Sequence, residues 1–175
     1  MIRPLLAAGL LIAALLGAGC GRSIGDNCSV NVDCSALGDR FCDISAPNGY
    51  CTMEGCDYAS CPSEAVCIRF FTPLPDNSCT DSTQCAAYQT CQSGRCAGAC
   101  SKHEDCGTGQ RCVDGKCASE SSERRWCQKK CDDNDDCRTD EGYECRATGT
   151  GGAEPYPEPN TGVASPVKFC VQRGH

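Results

Sequence analysis

Hydrophobic residues are concentrated at the start of the chain, whereas the remaining sequence alternates cysteines with polar residues. Residues 5–16 form an unbroken apolar run of twelve, preceded by Arg3 and followed by Gly17-Ala18-Gly19. A charged start, a short apolar stretch and small residues at its end are typical of a signal peptide. Twelve apolar residues are too few to span a bilayer. We therefore predict that residues 1–19 are a signal peptide and that the exported chain has no transmembrane helix.

The end of this segment resembles the bacterial lipobox, with Leu16-Gly17-Ala18-Gly19 directly before Cys20. In lipoproteins such a cysteine receives a diacylglyceryl group and becomes the new N-terminus, so the resemblance implies lipidation of Cys20 and membrane attachment through acyl chains, including palmitate. The alternative is an ordinary disulfide cysteine behind a conventional cleavage site. Parity favours lipidation: of 21 cysteines, removing Cys20 leaves an even number that can all pair.

The cysteines repeat a four-membered pattern. Both Cys79–Cys96 and Cys100–Cys117 read C-x5-C-x5-C-x4-C, and matching spacing in adjacent segments indicates one structural unit used twice. Looser copies lie at both ends of the chain, and a partial copy with three cysteines precedes Cys79. Cys127 lies outside any complete copy, so parity allows it to be the partner of the partial unit, although the sequence does not fix connectivity.

These copies give the predicted domain organisation. After the signal peptide, residues 20–27 are a lipidated N-terminus and short tether. The units follow at 28–51 (unit 1), 52–78 (partial unit 2, with an apolar loop), 79–96 (unit 3) and 97–117 (unit 4). Residues 118–126 are a polar linker, and 127–175 form unit 5, which includes a Gly/Pro-rich loop at 149–166.

Composition determines the expected fold class. Cysteine provides 21 of 175 residues and aromatic residues only 6 %, whereas a cysteine content above about 8–10 % marks a disulfide scaffold. Units this short cannot build a sufficient hydrophobic core and need cross-links. We predict a small disulfide-rich protein of tandem loop-rich cysteine knots with short two-stranded hairpins and little regular secondary structure.

Cysteine spacing separates disulfides from metal binding. Zinc sites favour C-x2-C pairs, whereas the closest spacing in this chain is C-x3-C, as in Cys96/Cys100. We therefore expect neither a metal nor another cofactor. The predicted disulfide-forming residues are Cys28, Cys34, Cys42, Cys51, Cys56, Cys61, Cys67, Cys79, Cys85, Cys91, Cys96, Cys100, Cys106, Cys112, Cys117, Cys127, Cys131, Cys137, Cys145 and Cys170.

Small polar residues between the cysteines predict turns. Asp33, Asp105 and Asp136 each precede the second cysteine of a unit, where an aspartate side chain can accept hydrogen bonds from nearby backbone N–H groups. Ser93-Gly94 and Asp114-Gly115 lie just before the fourth cysteine, and such dipeptides tolerate positive φ. We expect a tight turn, or a short hairpin, between the third and fourth cysteines.

The two central units, with C-x5-C-x5-C-x2-G-x-C, resemble the four-cysteine modules of the EB and Dickkopf N-terminal cysteine-rich type, and the cysteine-rich repeat lipoproteins of bacteria. The resemblance covers units 3 and 4 well and the flanking units approximately. It implies pairing of first with third and second with fourth cysteines, and an extracellular interaction module without catalysis.

Three further segments are candidates for a function. Residues 68–75 are the most apolar stretch after the signal peptide, and are interpreted as an inter-unit loop whose aromatic side chains fill a junction, or as an exposed partner contact. Residues 132–136 place side-chain oxygens at calcium-loop positions one, three and five, but Cys137 and Tyr143 stand where such a loop needs Gly and Glu, which favours a solvated acidic loop. The Gly/Pro-rich residues 149–166 are expected to form a mobile loop.

Catalysis and nucleic-acid binding receive little support. The histidines are His103 and His175, without a recognisable catalytic motif around them, so no catalytic residue is assigned. The net charge of −7 is opposite to that of a phosphate-binding surface. We predict a non-catalytic structural or interaction lipoprotein that binds an extracellular protein or glycan; the alternative is a disulfide-rich inhibitor of an extracellular hydrolase.

The expected location is the cell envelope. Gly21 follows Cys20, where Asp would resemble an inner-membrane retention signal, so the outer membrane or cell surface is the predicted site. Only residues 21–27 separate Cys20 from Cys28, a span of at most about 25 Å. Unit 1 is therefore expected to lie close to the lipid headgroups.

Overall fold

The computed structural model describes residues 21–72, 78–85, 88–147 and 153–173. It contains one short helix, α1 (Asn31–Cys34), several single 3-10 turns, and short antiparallel strands. The strands are β1 (Phe41–Asp43), β2 (Tyr50–Thr52), β3 (Ala65–Phe70), β4 (Thr90–Gln92), β5 (Arg95–Ala97), β6 (Gln110–Val113), β7 (Lys116–Ser119), β8 (Arg124–Cys131), β9 (Tyr143–Arg146), β10 (Ala153–Pro155) and β11 (Lys168–Gln172). The predicted class, a small disulfide-rich fold with short strand pairs and many loops, is confirmed. Within the described ranges, no helix has the length and apolar character that crossing a membrane requires.

Ten disulfides join the cysteines of the described residues, and every unit has the same connectivity. The first cysteine pairs with the third and the second with the fourth, as the resemblance implies. Cys127 is the fourth cysteine of unit 2, because it pairs with Cys61 across 66 residues. The pairs are Cys28–Cys42, Cys34–Cys51, Cys56–Cys67, Cys61–Cys127, Cys79–Cys91, Cys85–Cys96, Cys100–Cys112, Cys106–Cys117, Cys131–Cys145 and Cys137–Cys170.

The predicted hairpins form in the central units. In unit 3, β4 pairs with β5 across Ser93-Gly94, whose φ angles are 51° and 79°. In unit 4, β6 pairs with β7 across Asp114-Gly115, with φ of 49° and 73°. Two consecutive residues with positive φ match the right-handed twist of a tight hairpin. The turn dipeptides therefore determine where these chains reverse.

A five-stranded antiparallel sheet, in the order β10-β3-β8-β11-β9, joins units 2 and 5. Its longest pairing runs from Ala65 opposite Lys129 to Phe70 opposite Arg124. The expected linker at 118–126 is therefore wrong: Glu120–Ser122 is a 3-10 turn and β8 begins at Arg124. Ala118 and Ser119 pair with β6, and the residues from Arg124 onward pair with β3.

The expectation of a mobile loop at 149–166 also needs correction for the residues that the structure describes. Ala153–Pro155 is strand β10, which pairs with Ile68–Phe70 at the edge of the sheet. Ala153 is buried, and the N–H of Tyr156 donates to the carbonyl of Cys67. The edge of β3 thus supplies backbone partners for a short strand within this Gly/Pro-rich segment.

Units 3 and 4 are inserted between two adjacent strands of this sheet, β3 and β8. We call residues 78–122 the insertion, and residues 21–72 together with 124–173 the body. The last described residue of the body before the insertion lies beside the end of the insertion, because the N–H of Thr72 donates to Oγ of Ser122 at 3.0 Å. The insertion therefore separates Cys61 from Cys127 in sequence without separating β3 from β8 in space.

Two small hydrophobic clusters of described residues pack around the sheet of the body. One combines Ile24, Tyr50, Ala65 and Tyr143 with buried cysteines of units 2 and 5. The other contains Ile68, Ala153, Phe169 and Val171, with Val66 and Phe70 packed against it. The disulfides themselves occupy much of the interior, as expected for a chain with few large apolar residues.

Candidate interaction site

Aspartates before the second cysteine build the same turn in three units. Oδ2 of Asp105 accepts from the N–H groups of Ser101 (2.8 Å) and Lys102 (3.1 Å). Asp33 and Asp136 accept equivalent pairs of bonds. These backbone bonds favour the carboxylate, so the pKa of each of the three aspartates lies below its ordinary value of 3.8. Their predicted role as turn makers is confirmed.

The acidic segment 132–136 belongs to this turn. Besides the bonds accepted by Asp136, Oδ1 of Asp133 accepts from the N–H of Asp135 at 2.9 Å. Asn134–Asp136 forms a 3-10 turn. The carboxylates of Asp133 and Asp136 thus stabilise the backbone of unit 5, which supports the interpretation as a solvated loop over the calcium alternative.

A second side-chain acceptor recurs at one position of four units, and it was not predicted from the sequence. The third residue after the first cysteine accepts a hydrogen bond from the N–H of the third cysteine through the side chain of Asn31, Ser82, His103 or Asn134, at 2.8 to 3.2 Å. Aligning the units by their first cysteine would have revealed an acceptor at each of these positions. His103 therefore has a structural partner: its Nδ1 accepts from Cys112, and its Nε2 lies 3.2 Å from Nη2 of Arg111.

Each unit brings three sulfur atoms close together, all within 4.8 Å of one another. These groups arise because the two disulfides of a unit stack against each other, for example Cys100–Cys112 beside Cys106–Cys117. A sulfur in a disulfide is not a thiolate, which is the form that binds zinc. The close sulfurs are therefore the centre of the fold of each unit.

Unit 1 is fixed to the sheet by a buried polar junction. Oγ1 of Thr52 donates to the carbonyl of Cys127 at 2.8 Å, and the N–H of Lys129 donates to the hydroxyl of Tyr50 at 3.0 Å. Tyr50 stacks on Tyr143 with ring centroids 5.4 Å apart, and burial raises the pKa of Tyr50 above its ordinary value. These contacts join the first and last units in one body.

A groove opens beside this junction, between the hairpin of unit 1 and the sheet. Its volume is about 380 Å³. The ring of Trp126 lies in its wall and packs against Phe41 at 5.4 Å, while Gln128 and Gln172 add amide groups. Aromatic walls with a few polar groups are typical of ligand sites. The lining residues are Asp43, Ser45, Ala46, Tyr50, Thr52, Phe70, Trp126, Gln128, Tyr143, Val171 and Gln172.

The apolar segment that begins at Ile68 lies partly in the sheet and partly at the contact between the body and the insertion. Ile68 and Phe70 belong to β3, while Phe71 is buried against Val113 of unit 4 and Ala118, which follows that unit. The guanidinium of Arg111 lies 4.4 Å from the centre of the Phe71 ring and pairs with Glu154 of β10. This arrangement agrees with the junction interpretation for Phe71. Residues 73–75 lie outside the described residues.

Unit 1 also presents apolar side chains to solvent. Leu37 is 93 % exposed, Val32 66 % and Val30 53 %. Leu37 lies in the loop that connects Cys34 to Cys42, close to the N-terminal end of the described chain. Single exposed apolar residues are common on protein surfaces, and adjacent ones are candidates for an interaction site.

The described residues place the predicted disulfide cysteines in their pairs, whereas Cys20, the predicted lipidation site, lies outside them. Comparison with known proteins adds no further assignment, because no protein-family profile, no curated protein and no solved structure matches this chain.

Proposed function

We propose that this protein is an exported bacterial lipoprotein of the cell envelope. It acts without catalysis, as a structural or interaction module that binds an extracellular protein or glycan. One observation carries the proposal: the other 20 cysteines all pair with one another, so none is left to pair with Cys20. A cysteine without a disulfide partner directly after a lipobox-like sequence is the expected acceptor of a lipid. So many disulfides also favour an oxidising compartment.

The interaction role is supported by the rigidity of the frame. Disulfides at both ends of the loops restrict their conformations before a partner is bound, which lowers the entropy cost of binding. The groove beside Trp126 offers an aromatic ring flanked by the amides of Gln128 and Gln172. An aromatic ring with adjacent amides suits the apolar face and hydroxyl groups of a sugar ring, or the side chains of an extended peptide.

Metabolic labelling tests lipidation. Cells producing the wild-type protein or a Cys20→Ala variant are grown with an alkyne-tagged fatty acid. We expect the label to enter the wild-type protein alone. Equal labelling of both proteins would show that the lipid is attached elsewhere, and absence of label from both would remove the lipoprotein assignment.

Fractionation and binding test the remaining parts of the proposal. We expect the protein in the outer membrane, with cleavage by protease added to whole cells; recovery in the inner membrane would contradict this location. Trp126 is the chain's single tryptophan, so its fluorescence reports ligands that enter the groove. Titration with cell-wall glycan fragments and with peptides should change the emission for one class, and Gln128→Ala should weaken that response.

A further inference from the structure

The exposed apolar residues of unit 1 lie where the chain leaves the described structure. Val32 of α1 and Leu37 of the following loop line one shallow depression together with Gly21, the first described residue. We call Val32 and Leu37 the apolar patch. Leu37 is 93 % exposed and Val32 66 %. Transfer of exposed apolar side chains of this size out of water is favourable, because it lowers the free energy.

The loop that carries Leu37 is held in its exposed position. The N–H of Leu37 donates to Oγ of Ser35 at 3.1 Å, and the hydroxyl of Ser35 donates to Asp39. This hydroxyl bond holds the pKa of Asp39 below its ordinary value. Gly38, with φ of 78°, allows the reversal beside Leu37. The side chain is thus presented by a defined turn whose ends are fixed by disulfides.

Gly21 and Arg22, the first described residues, contact the same surface. A Cβ on Gly21 would lie 3.0 Å from the carbonyl oxygen of Cys34, so the backbone of Gly21 packs closely on the end of α1. Nη1 of Arg40 donates to the carbonyl of Arg22 at 2.5 Å. Cys20 is joined to Gly21 by one peptide bond, which places their Cα atoms about 3.8 Å apart. A lipid on Cys20 would therefore emerge next to the apolar patch.

We propose that the apolar patch is a second membrane contact, in which Val32 and Leu37 enter the interfacial region of the bilayer beside the acyl chains on Cys20. This inference rests on the proposed lipidation, which supplies the bilayer as the occupant. Apolar side chains at the boundary between headgroups and acyl chains add to an acyl anchor. The two contacts together fix the orientation of unit 1 on the membrane, which an acyl anchor alone does not.

The test uses a tether that does not depend on cellular lipidation. The mature chain 20–175 is produced with its disulfides formed, so that the thiol of Cys20 can be coupled to a maleimide lipid in phosphatidylcholine vesicles. A Leu37→Trp variant places an indole at the patch. Vesicles with brominated acyl chains quench tryptophan only at short range, and vesicles with unbrominated chains give the reference emission. We expect loss of most of the emission added by the new tryptophan.

A matched control variant tests whether the quenching is specific to the apolar patch. Val163→Trp introduces the same indole at another exposed position, 66 % exposed, but in unit 5, and its emission should be unchanged by bromine. Unquenched emission at position 37, or equal quenching at both positions, would overturn the proposal. Both variants replace exposed side chains, and their disulfide pairing is verified by non-reducing peptide mapping. Lipidation is judged separately by the Cys20→Ala labelling experiment, so either idea can fail without the other.

Discussion

The body and the insertion share one disulfide pattern but differ in what surrounds it. In the body, unit 1 contributes Thr52 and Tyr50 to a buried junction with the sheet, and five strands connect units 2 and 5. In the insertion, unit 3 is a two-stranded hairpin with two disulfides. Val113 of unit 4 and Ala118, which follows it, form an apolar contact with Phe71 of the body. The same cross-linked unit therefore serves both as part of a core and as an appended module.

The comparison shows how repeated disulfide units can become part of a larger sheet. A unit closed by two disulfides needs little from its neighbours, because the cross-links restrict the unfolded chain. Its strands are then free to pair with other strands, as β3 pairs with β8 across the insertion. Stability should consequently depend on tertiary contacts in the body and on local cross-links in the insertion.

The largest expected effect is loss of the Cys61–Cys127 bridge, the one disulfide that closes around the insertion. A Cys61→Ser/Cys127→Ser variant removes a cross-link with a sequence separation of 66. We expect the free energy of unfolding of the body to fall by about 4 kcal/mol in the chain-entropy treatment. Urea unfolding, followed by the fluorescence of Trp126 next to the lost bridge, measures this.

The matched control removes a local bridge of the insertion. Cys85→Ser/Cys96→Ser opens a cross-link with a separation of 11, for which the same treatment gives about 3 kcal/mol. We expect this loss to be confined to unit 3, so amide exchange of β3 and β8 should be unchanged. Faster exchange throughout the sheet would show that the insertion and the body unfold together.

The second prediction concerns the contact between insertion and body. Phe71→Ala removes a ring that is 7 % exposed and packs against Val113 and Ala118. Truncation of a buried phenylalanine costs about 3 kcal/mol. We expect unit 4 to lose its fixed position while its hairpin stays paired. NMR would show exchange broadening at Arg111 and Ala118 with intact β6–β7 pairing, and Leu37→Ala, at an exposed position, should change neither. Loss of the hairpin itself would contradict this view.

The third prediction uses one hairpin glycine in each region. In the body, a Cβ on Gly49 (φ 68°) would meet the carbonyl oxygen of Cys28 at 2.0 Å. In the insertion, a Cβ on Gly94 (φ 79°) meets nothing within 4 Å. Gly94→Ala should therefore cost only the left-handed strain of about 1 kcal/mol, whereas Gly49→Ala should cost at least about 2 kcal/mol. Thermal unfolding of the two variants compares them directly, and equal losses would contradict the difference in packing.

Local features of this fold were predictable from the sequence, whereas the long-range ones were not. The turns at Ser93-Gly94 and Asp114-Gly115 and the acceptor Asp105 act within a few residues, so their chemistry is readable from short segments. Strand β8 was missed, because its sequence RRWCQKKC is polar and its partner β3 lies across the insertion. The partner of Cys127 stayed open for the same reason, since spacing does not determine connectivity.

The candidate site shows the same division. The lipidation prediction at Cys20 rests on a contiguous motif and is readable from the sequence alone. The groove beside Trp126 combines unit 1 with strands far along the chain, so no local pattern indicates it. The exposure of Leu37 depends on the bond between Ser35 and Asp39, and on the absence of a neighbouring unit over this loop among the described residues.

The smallest expected effect is a pH dependence that both regions share. The backbone bonds accepted by Asp136 in the body and Asp105 in the insertion hold the pKa of each carboxyl below its ordinary 3.8. A group with a lowered pKa stabilises the fold fully above its unfolded pKa, and the contribution is lost as the pH falls through the folded pKa. We therefore expect both turns to weaken below about pH 4, with only a small change for each exposed carboxyl.

An amide at the same position separates this charge effect from the hydrogen bond. In unit 3 the equivalent residue is Gln84, whose Oε1 accepts from the N–H of Thr80 at 2.7 Å without a titrating group. Asp105→Asn should likewise keep an acceptor oxygen but remove the acid transition at the N–H of Ser101, while the N–H of Asp132, which donates to Asp136, still titrates. Amide shifts followed by NMR from about pH 5 to about pH 1 measure both turns in one sample. If the acid transition at the N–H of Ser101 persists in the variant, a group other than the carboxyl of Asp105 causes it. The two regions would then differ in their turns as well as in their surroundings.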